Sequence, residues 1–146
     1  MVERFELFTT LVAELARNIH RIKTAEMSEF ALRGSHVSCL YYLYKGGAMT
    51  ATELCDRSGE DKANVSRAVA SLEKSGYLTC PSSGKRYQSP LSLTEKGRSV
   101  GARIAEKVDG VLARAGEGLS EEDRAVMYRS MKLVRDNLRK IADSEH

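Results

Sequence analysis

The sequence predicts a mainly α-helical protein with one small β-hairpin. Apolar residues recur at three- and four-residue steps along most of the chain, only 2 prolines occur in 146 residues, and the one β-prone stretch is split by the turn chemistry of Pro81-Ser82-Ser83-Gly84. The length is that of one typical domain. Hydrophobic residues make up 42%, which excludes global disorder.

The helices follow in order. Phe5, Phe8, Val12, Leu15, Ile19 and Ile22 form one stripe, so residues 4–27 read as a long amphipathic helix whose apolar face needs a partner. A second helix is expected after Gly34, with Ser35 as its N-cap and Gly46-Gly47 as its end. Thr50-Ala51-Thr52-Glu53 has the form of a capping box and opens a short helix to about Arg57. Ser58-Gly59-Glu60 is a tight turn. Asp61 then caps a helix in which Val65, Val69 and Leu72 share one face, and Gly76 ends it.

Tyr77-Leu78-Thr79-Cys80 and the run reaching Leu91-Ser92-Leu93 make the hairpin, and Pro90, which cannot donate to a ladder, marks an edge or a bulge. Thr94 caps a helix with Val100, Ile104, Val108, Val111 and Leu112 on one stripe, broken at Gly116 and Gly118. Ser120 with Glu121, Glu122 and Asp123 opens the last helix, where acids complement the helix dipole. There Met127, Met131, Val134, Leu138 and Ile141 form a heptad-like seam.

Charge and chemistry narrow the function. The net charge of +3 comes wholly from residues 35–98, which hold 9 basic and 6 acidic side chains, while the segments on either side cancel. No run approaches the roughly 18 apolar residues of a membrane span, and Glu3, Arg4, Glu6, Glu14 and Arg17 exclude a signal-peptide core, so a soluble cytoplasmic protein is expected. Cys39, Cys55 and Cys80 form no C-x-x-C pair and are read as reduced thiols. No nucleophile–base set, paired-carboxylate site or phosphate-binding glycine loop is visible, so an enzyme is not expected, nor is a cofactor.

Helix, three-residue turn, helix and basic-tipped hairpin within about 45 residues is the layout of a winged helix-turn-helix. At 100° per residue from Val65, the second helix turns Ala63, Ser66, Arg67, Ala70 and Lys74 away from the core. Small side chains there admit the helix to base edges, Arg67 suits a guanine, Ser66 suits a base or phosphate, and Lys62 and Asn64 flank the leading end. Lys85 and Arg86 at the hairpin tip suit a phosphate or the minor groove.

These motifs carry a resemblance. Thr50-Ala51-Thr52-Glu53-Leu54, Asp61-Lys62-Ala63-Asn64-Val65-Ser66-Arg67, Leu72-Glu73-Lys74-Ser75-Gly76-Tyr77-Leu78 and Leu93-Thr94-Glu95-Lys96-Gly97 resemble the successive motifs of the MarR family of bacterial and archaeal transcription regulators. The resemblance implies a DNA-binding core at 35–98 and dimerisation helices at 1–34 and 99–146. It also implies a homodimer on a palindromic double-stranded operator, and a repressor released by a small aromatic effector. His36, Tyr41 and Tyr44 are the candidate effector pocket, although tyrosines at this spacing also suit a packed core.

Two departures stand out. The wing tip Ser83-Gly84-Lys85-Arg86 lacks the acid usual in the family, and Ser58 and Glu60 occupy a turn that is usually apolar. Glu60 beside a phosphate would be repulsive unless it points aside. The alternatives are a winged-helix protein-interaction module without DNA binding and a thiol- or metal-responsive regulator. His36 and Cys39, three apart on one helix, have the spacing of two metal ligands but no forced third, so a packed or exposed pair and no metal site are expected. Cys55 reads as core filler and Cys80 as exposed on the hairpin.

Overall fold

The computed structural model describes residues 3–80 and 89–145. Six α-helices and a two-stranded antiparallel sheet appear in the order α1 (Glu3–Glu26), a 3-10 turn (Ser28–Phe30), α2 (Gly34–Gly46), α3 (Ala51–Ser58), α4 (Lys62–Lys74), β1 (Leu78–Thr79), β2 (Ser92–Leu93), α5 (Glu95–Ala115) and α6 (Glu121–Ser144). Two compact units result, Met1–Asp109 and Gly110–His146.

In the first unit one apolar core joins α2, α3, α4, β1 and the start of α5. Leu40, Leu54, Leu72, Leu78, Leu91 and Ile104 are its largest fully buried side chains. Met27 and Phe30 extend it beneath the end of α1, where Ala31 takes a left-handed conformation (φ 54) and turns the chain toward α2. Buried Ser38 is satisfied by Lys23, whose Nζ donates to its Oγ at 3.3 Å. Around this corner Lys107 pairs with Glu29 at 2.6 Å and Glu26 at 3.8 Å, Arg103 also pairs with Glu29, and the Lys107 hydrogen bond holds the Glu29 carboxyl below its ordinary range.

The expected N-cap of α2 is corrected. The helix starts at Gly34, one residue before Ser35, with Arg33 as the extended residue ahead of it (φ −78, ψ 163). Its first turn is closed by a side chain other than serine: His36 Nδ1 accepts the backbone N–H of Arg33 at 3.2 Å. Burial, and secondarily Arg33, keep the imidazole pKa below its ordinary value, which suits a neutral acceptor. The end of α4 also moves, from Gly76 to Lys74, with Ser75 as C-cap and Gly76 carrying the positive φ of +84.

The remaining caps are those the sequence predicts. Thr50 Oγ1 accepts from Glu53 N at 3.1 Å while Glu53 Oε1 accepts from Thr50 N at 3.4 Å, closing the capping box. Ser120 Oγ accepts from Asp123 N at 3.0 Å at the head of α6. The sheet pairs Leu78 with Leu93 and Thr79 with Ser92. A further antiparallel bridge, Met49 with Leu91, fastens the base of the hairpin to the turn before α3, and no local pattern announces it.

Both long terminal helices leave apolar faces open. On α1, Leu7, Leu11, Val12, Leu15 and Ile19 are exposed, and none of the residues of α6 is buried, Met131 being 52% and Leu138 46% exposed. Within the described residues no helix is long and apolar enough to cross a membrane.

Candidate nucleic-acid interface

The turn between α3 and α4 is set by local chemistry. Gly59 takes the left-handed conformation (φ 71) and donates its N–H to Cys55 O at 2.9 Å, a conformation that a Cβ would strain. Glu60 N then donates to Ser58 Oγ at 3.2 Å, and Asp61 Oδ1 accepts the N–H of Asn64 at 2.7 Å to start α4. The Glu60 side chain is half-buried with Oε2 enclosed and without a hydrogen-bond partner.

On α4, Val65, Ala68, Val69 and Leu72 face the core. Lys62, Ala63, Arg67, Ala70 and Lys74 are exposed, and Asn64 and Ser66 are half-buried at the edges. A row of small and basic residues thus lies along the solvent side. Arg67 is held there, its Nη2 donating to Asn64 Oδ1 at 2.5 Å, while Asn64 Nδ2 donates to Asp61 Oδ2 at 3.2 Å. Lys85 and Arg86 lie outside the described residues.

Counting charges overstates the basic side chains available for a ligand. Lys96 Nζ donates to Ser75 O at 2.9 Å and sits 4.3 Å from the centre of the Tyr77 ring, and Arg98 Nη1 donates to Leu93 O at 3.0 Å. Both cations brace the junction of α4, the wing and α5. Thr94 completes it, donating through Oγ1 to Gly76 O at 2.6 Å and accepting from Gly97 N at 3.1 Å. Sequence reasoning found Thr94 as a cap but missed these internal uses of Lys96 and Arg98, for which a cation within a few residues of a helix end was the available signal.

The three effector-pocket candidates do not converge. His36 is in the first turn of α2 and Tyr44 in the last, eight residues and about 12 Å apart along the axis. Tyr41 Oη donates to Asp109 Oδ1 at 3.5 Å, Lys45 pairs with Asp109 Oδ2 at 2.7 Å, and Tyr41 and Tyr42 rings meet edge to face at 5.2 Å. Tyr44 instead lines an open cavity of about 300 Å³ with Leu43, Gly47, Leu93 and Arg98.

The three cysteines differ in their surroundings. Cys39 is fully buried and its pKa is pushed up to about 12, by burial first and by Glu60 and Cys55 second. Burial also raises Cys55, which is half-buried, as is Cys80. Cys39 should thus resist alkylation at pH 8 in the folded protein and react only on unfolding, as mass spectrometry of iodoacetamide-treated protein would show. Because its pKa is raised from about 9, its neutral thiol supports the fold below that pH, and stability should fall as pH rises from 9 toward 12. The described residues contain no group of three or more His, Cys, Asp or Glu able to hold a metal.

A helix-turn-helix followed by a two-stranded wing defines the winged helix-turn-helix class. Residues 32–86 match the model of the MarR family. No curated protein matches the sequence. Among solved structures, a MarR family regulator from Neisseria meningitidis is 15% identical, with 98% of this chain and 99% of that one covered at a TM-score of 0.85. MepR of S. aureus in its DNA-binding conformation is 16% identical (90% and 98% covered, TM-score 0.80). A MarR family regulator from Listeria monocytogenes, complexed with 26mer DNA, is 23% identical (89% and 87% covered, TM-score 0.77). The chain is a winged helix-turn-helix protein with the MarR fold.

Proposed function

We propose that this protein is a cytoplasmic, homodimeric, sequence-specific transcription regulator that lays α4 into the major groove of a palindromic operator. The observation that carries the reading is the solvent face of α4, where Ala63 and Ala70 leave room for base edges beside Arg67. The enclosure of Glu60 Oε2 favours it over a pure protein-interaction module, because a fully exposed acid in the turn would oppose phosphate more strongly. The DNA-bound Listeria relative and MepR in its DNA-binding conformation agree with this use of the fold.

In the proposed dimer, residues 1–34 and 99–146 supply the dimerisation helices and 35–98 the DNA-binding core, with Ala63, Ser66 and Arg67 toward the bases, Lys62 and Asn64 flanking the leading end of α4, and Lys85 and Arg86 toward the backbone. Arg67→Ala should cost about 1–3 kcal/mol of specific binding and relax sequence preference, whereas Lys85→Ala with Arg86→Ala should weaken specific and non-specific binding alike. Gel shifts on the DNA beside the protein's own reading frame test both. A dimer neutralising about 6–8 phosphates gives a log–log salt slope of about −5 to −7, and a slope near zero supports the interaction module.

The regulator acts in this reading as a repressor released by a small aromatic effector, and Tyr44, which lines an open cavity, is a candidate contact for it. Titrating phenolic acids should release DNA from the unmodified protein and fail to do so from Tyr44→Ala. Release that is unchanged in Tyr44→Ala places the effector elsewhere.

A further inference from the structure

Arg67 is one member of a three-residue relay. Asp61 uses both carboxylate oxygens: Oδ1 accepts the backbone N–H of Asn64 at 2.7 Å, and Oδ2 accepts the side-chain Nδ2 at 3.2 Å. The second bond fixes the orientation of the Asn64 amide, because only with nitrogen toward Asp61 does its oxygen face the next turn of the helix. That oxygen, Oδ1, accepts Arg67 Nη2 at 2.5 Å. Residues 61, 64 and 67 are spaced by three, so the relay runs up one side of the first two turns of α4.

We infer that Asn64 and Asp61 are positioning residues for sequence readout: the N-cap carboxylate orients the Asn64 amide, which holds the Arg67 guanidinium ready to meet a base. This rests on the DNA-binding reading above. The chemistry favours pre-organisation over sequestration, since the bond to Asn64 uses one of five guanidinium N–H groups and leaves four for a guanine edge or a phosphate. Arg67 is exposed, so without the relay it would sample many rotamers and lose that freedom on binding. Asp61 thus combines two tasks in one side chain. A serine cap would do only the first.

The relay separates specificity from affinity in a way that a purely structural role does not. The probes are a duplex selected from a random-sequence pool by the unmodified protein and a scrambled duplex of the same composition, and the readout is the ratio of the two affinities. Asn64→Ala should lower that ratio about 2- to 12-fold, the equivalent of ordering one long side chain. Asp61→Ser keeps an N-cap acceptor and removes a negative charge, so it should bind scrambled DNA more tightly while its ratio falls. In an Arg67→Ala background neither change should lower the ratio further, because both act through Arg67. Thermal unfolding of each variant shows that the fold persists.

A ratio unchanged in Asn64→Ala, or an Asn64→Ala effect undiminished in the Arg67→Ala background, overturns the relay and leaves Asn64 as a spectator or a direct contact. Failure of the unmodified protein to enrich any duplex overturns the DNA-binding reading itself and the relay with it. The two failures are therefore distinguishable.

Discussion

Gly97→Ala is expected to destabilise the protein by about 3 kcal/mol, at the upper end of overpacking costs. A Cβ on Gly97 would stand 1.9 Å from the carbonyl oxygen of Tyr77 and 3.0 Å from its carbonyl carbon. The obstacle is backbone, and that oxygen is already engaged by Thr94 N at 3.0 Å, so it cannot retreat without opening the junction between α4, the wing and α5. Gly110 lies further along α5, and a Cβ there meets nothing within 4 Å. Gly110→Ala should accordingly leave stability unchanged or raise it by up to about 1 kcal/mol through helix propensity. Thermal unfolding should show a fall in Tm of about 10 °C for the first variant and none for the second. Equal stability of both would place the Tyr77 carbonyl elsewhere.

Met131→Asp combined with Leu138→Asp is expected to abolish assembly. Both side chains are about half exposed in a single chain, so in a monomer the changes would be nearly silent. Covered by a second copy, the two charges would each cost on the order of several kcal/mol. Sedimentation of the unmodified protein at micromolar concentration should show a dimer and the double variant a monomer that no longer binds a palindrome. A well-folded, unmodified monomer would refute the assembly.

Much of the fold was legible because its signals are local. Thr50 with Glu53, Asp61, Thr94 and Ser120 each satisfy free N–H groups within three residues of themselves, so a short window of sequence contains the whole interaction. Ser35 was misleading because the helix begins one residue earlier, at Gly34, where His36 falls at the third position and its ring reaches back to the N–H of Arg33. The outward face of α4 followed from the positions of Val65, Val69 and Leu72. The relay behind Arg67 did not, since helical spacing puts residues three apart in reach without saying which atoms bond. Lys96 and Arg98 entered only the count of basic residues in 35–98, and their service to carbonyls at Ser75 and Leu93 depends on where the wing folds back, a long-range fact. Cys80 was expected exposed and is half-buried for the same reason.

The Met49–Leu91 bridge gives the hairpin a second seam. Leu91 N donates to Met49 O at 2.7 Å and Met49 N to Leu91 O at 3.3 Å, so the returning arm is clasped on one side by β1 and on the other by the turn that leads into α3. Among the described residues, the backbone pairs of this ladder join positions 49, 78 and 79 to positions 91, 92 and 93. The root is thus held like the handle of a tool whose blade can be changed: exchanging residues 81–88 for those of another regulator should retune DNA preference while the melting behaviour of the helical body stays as it was.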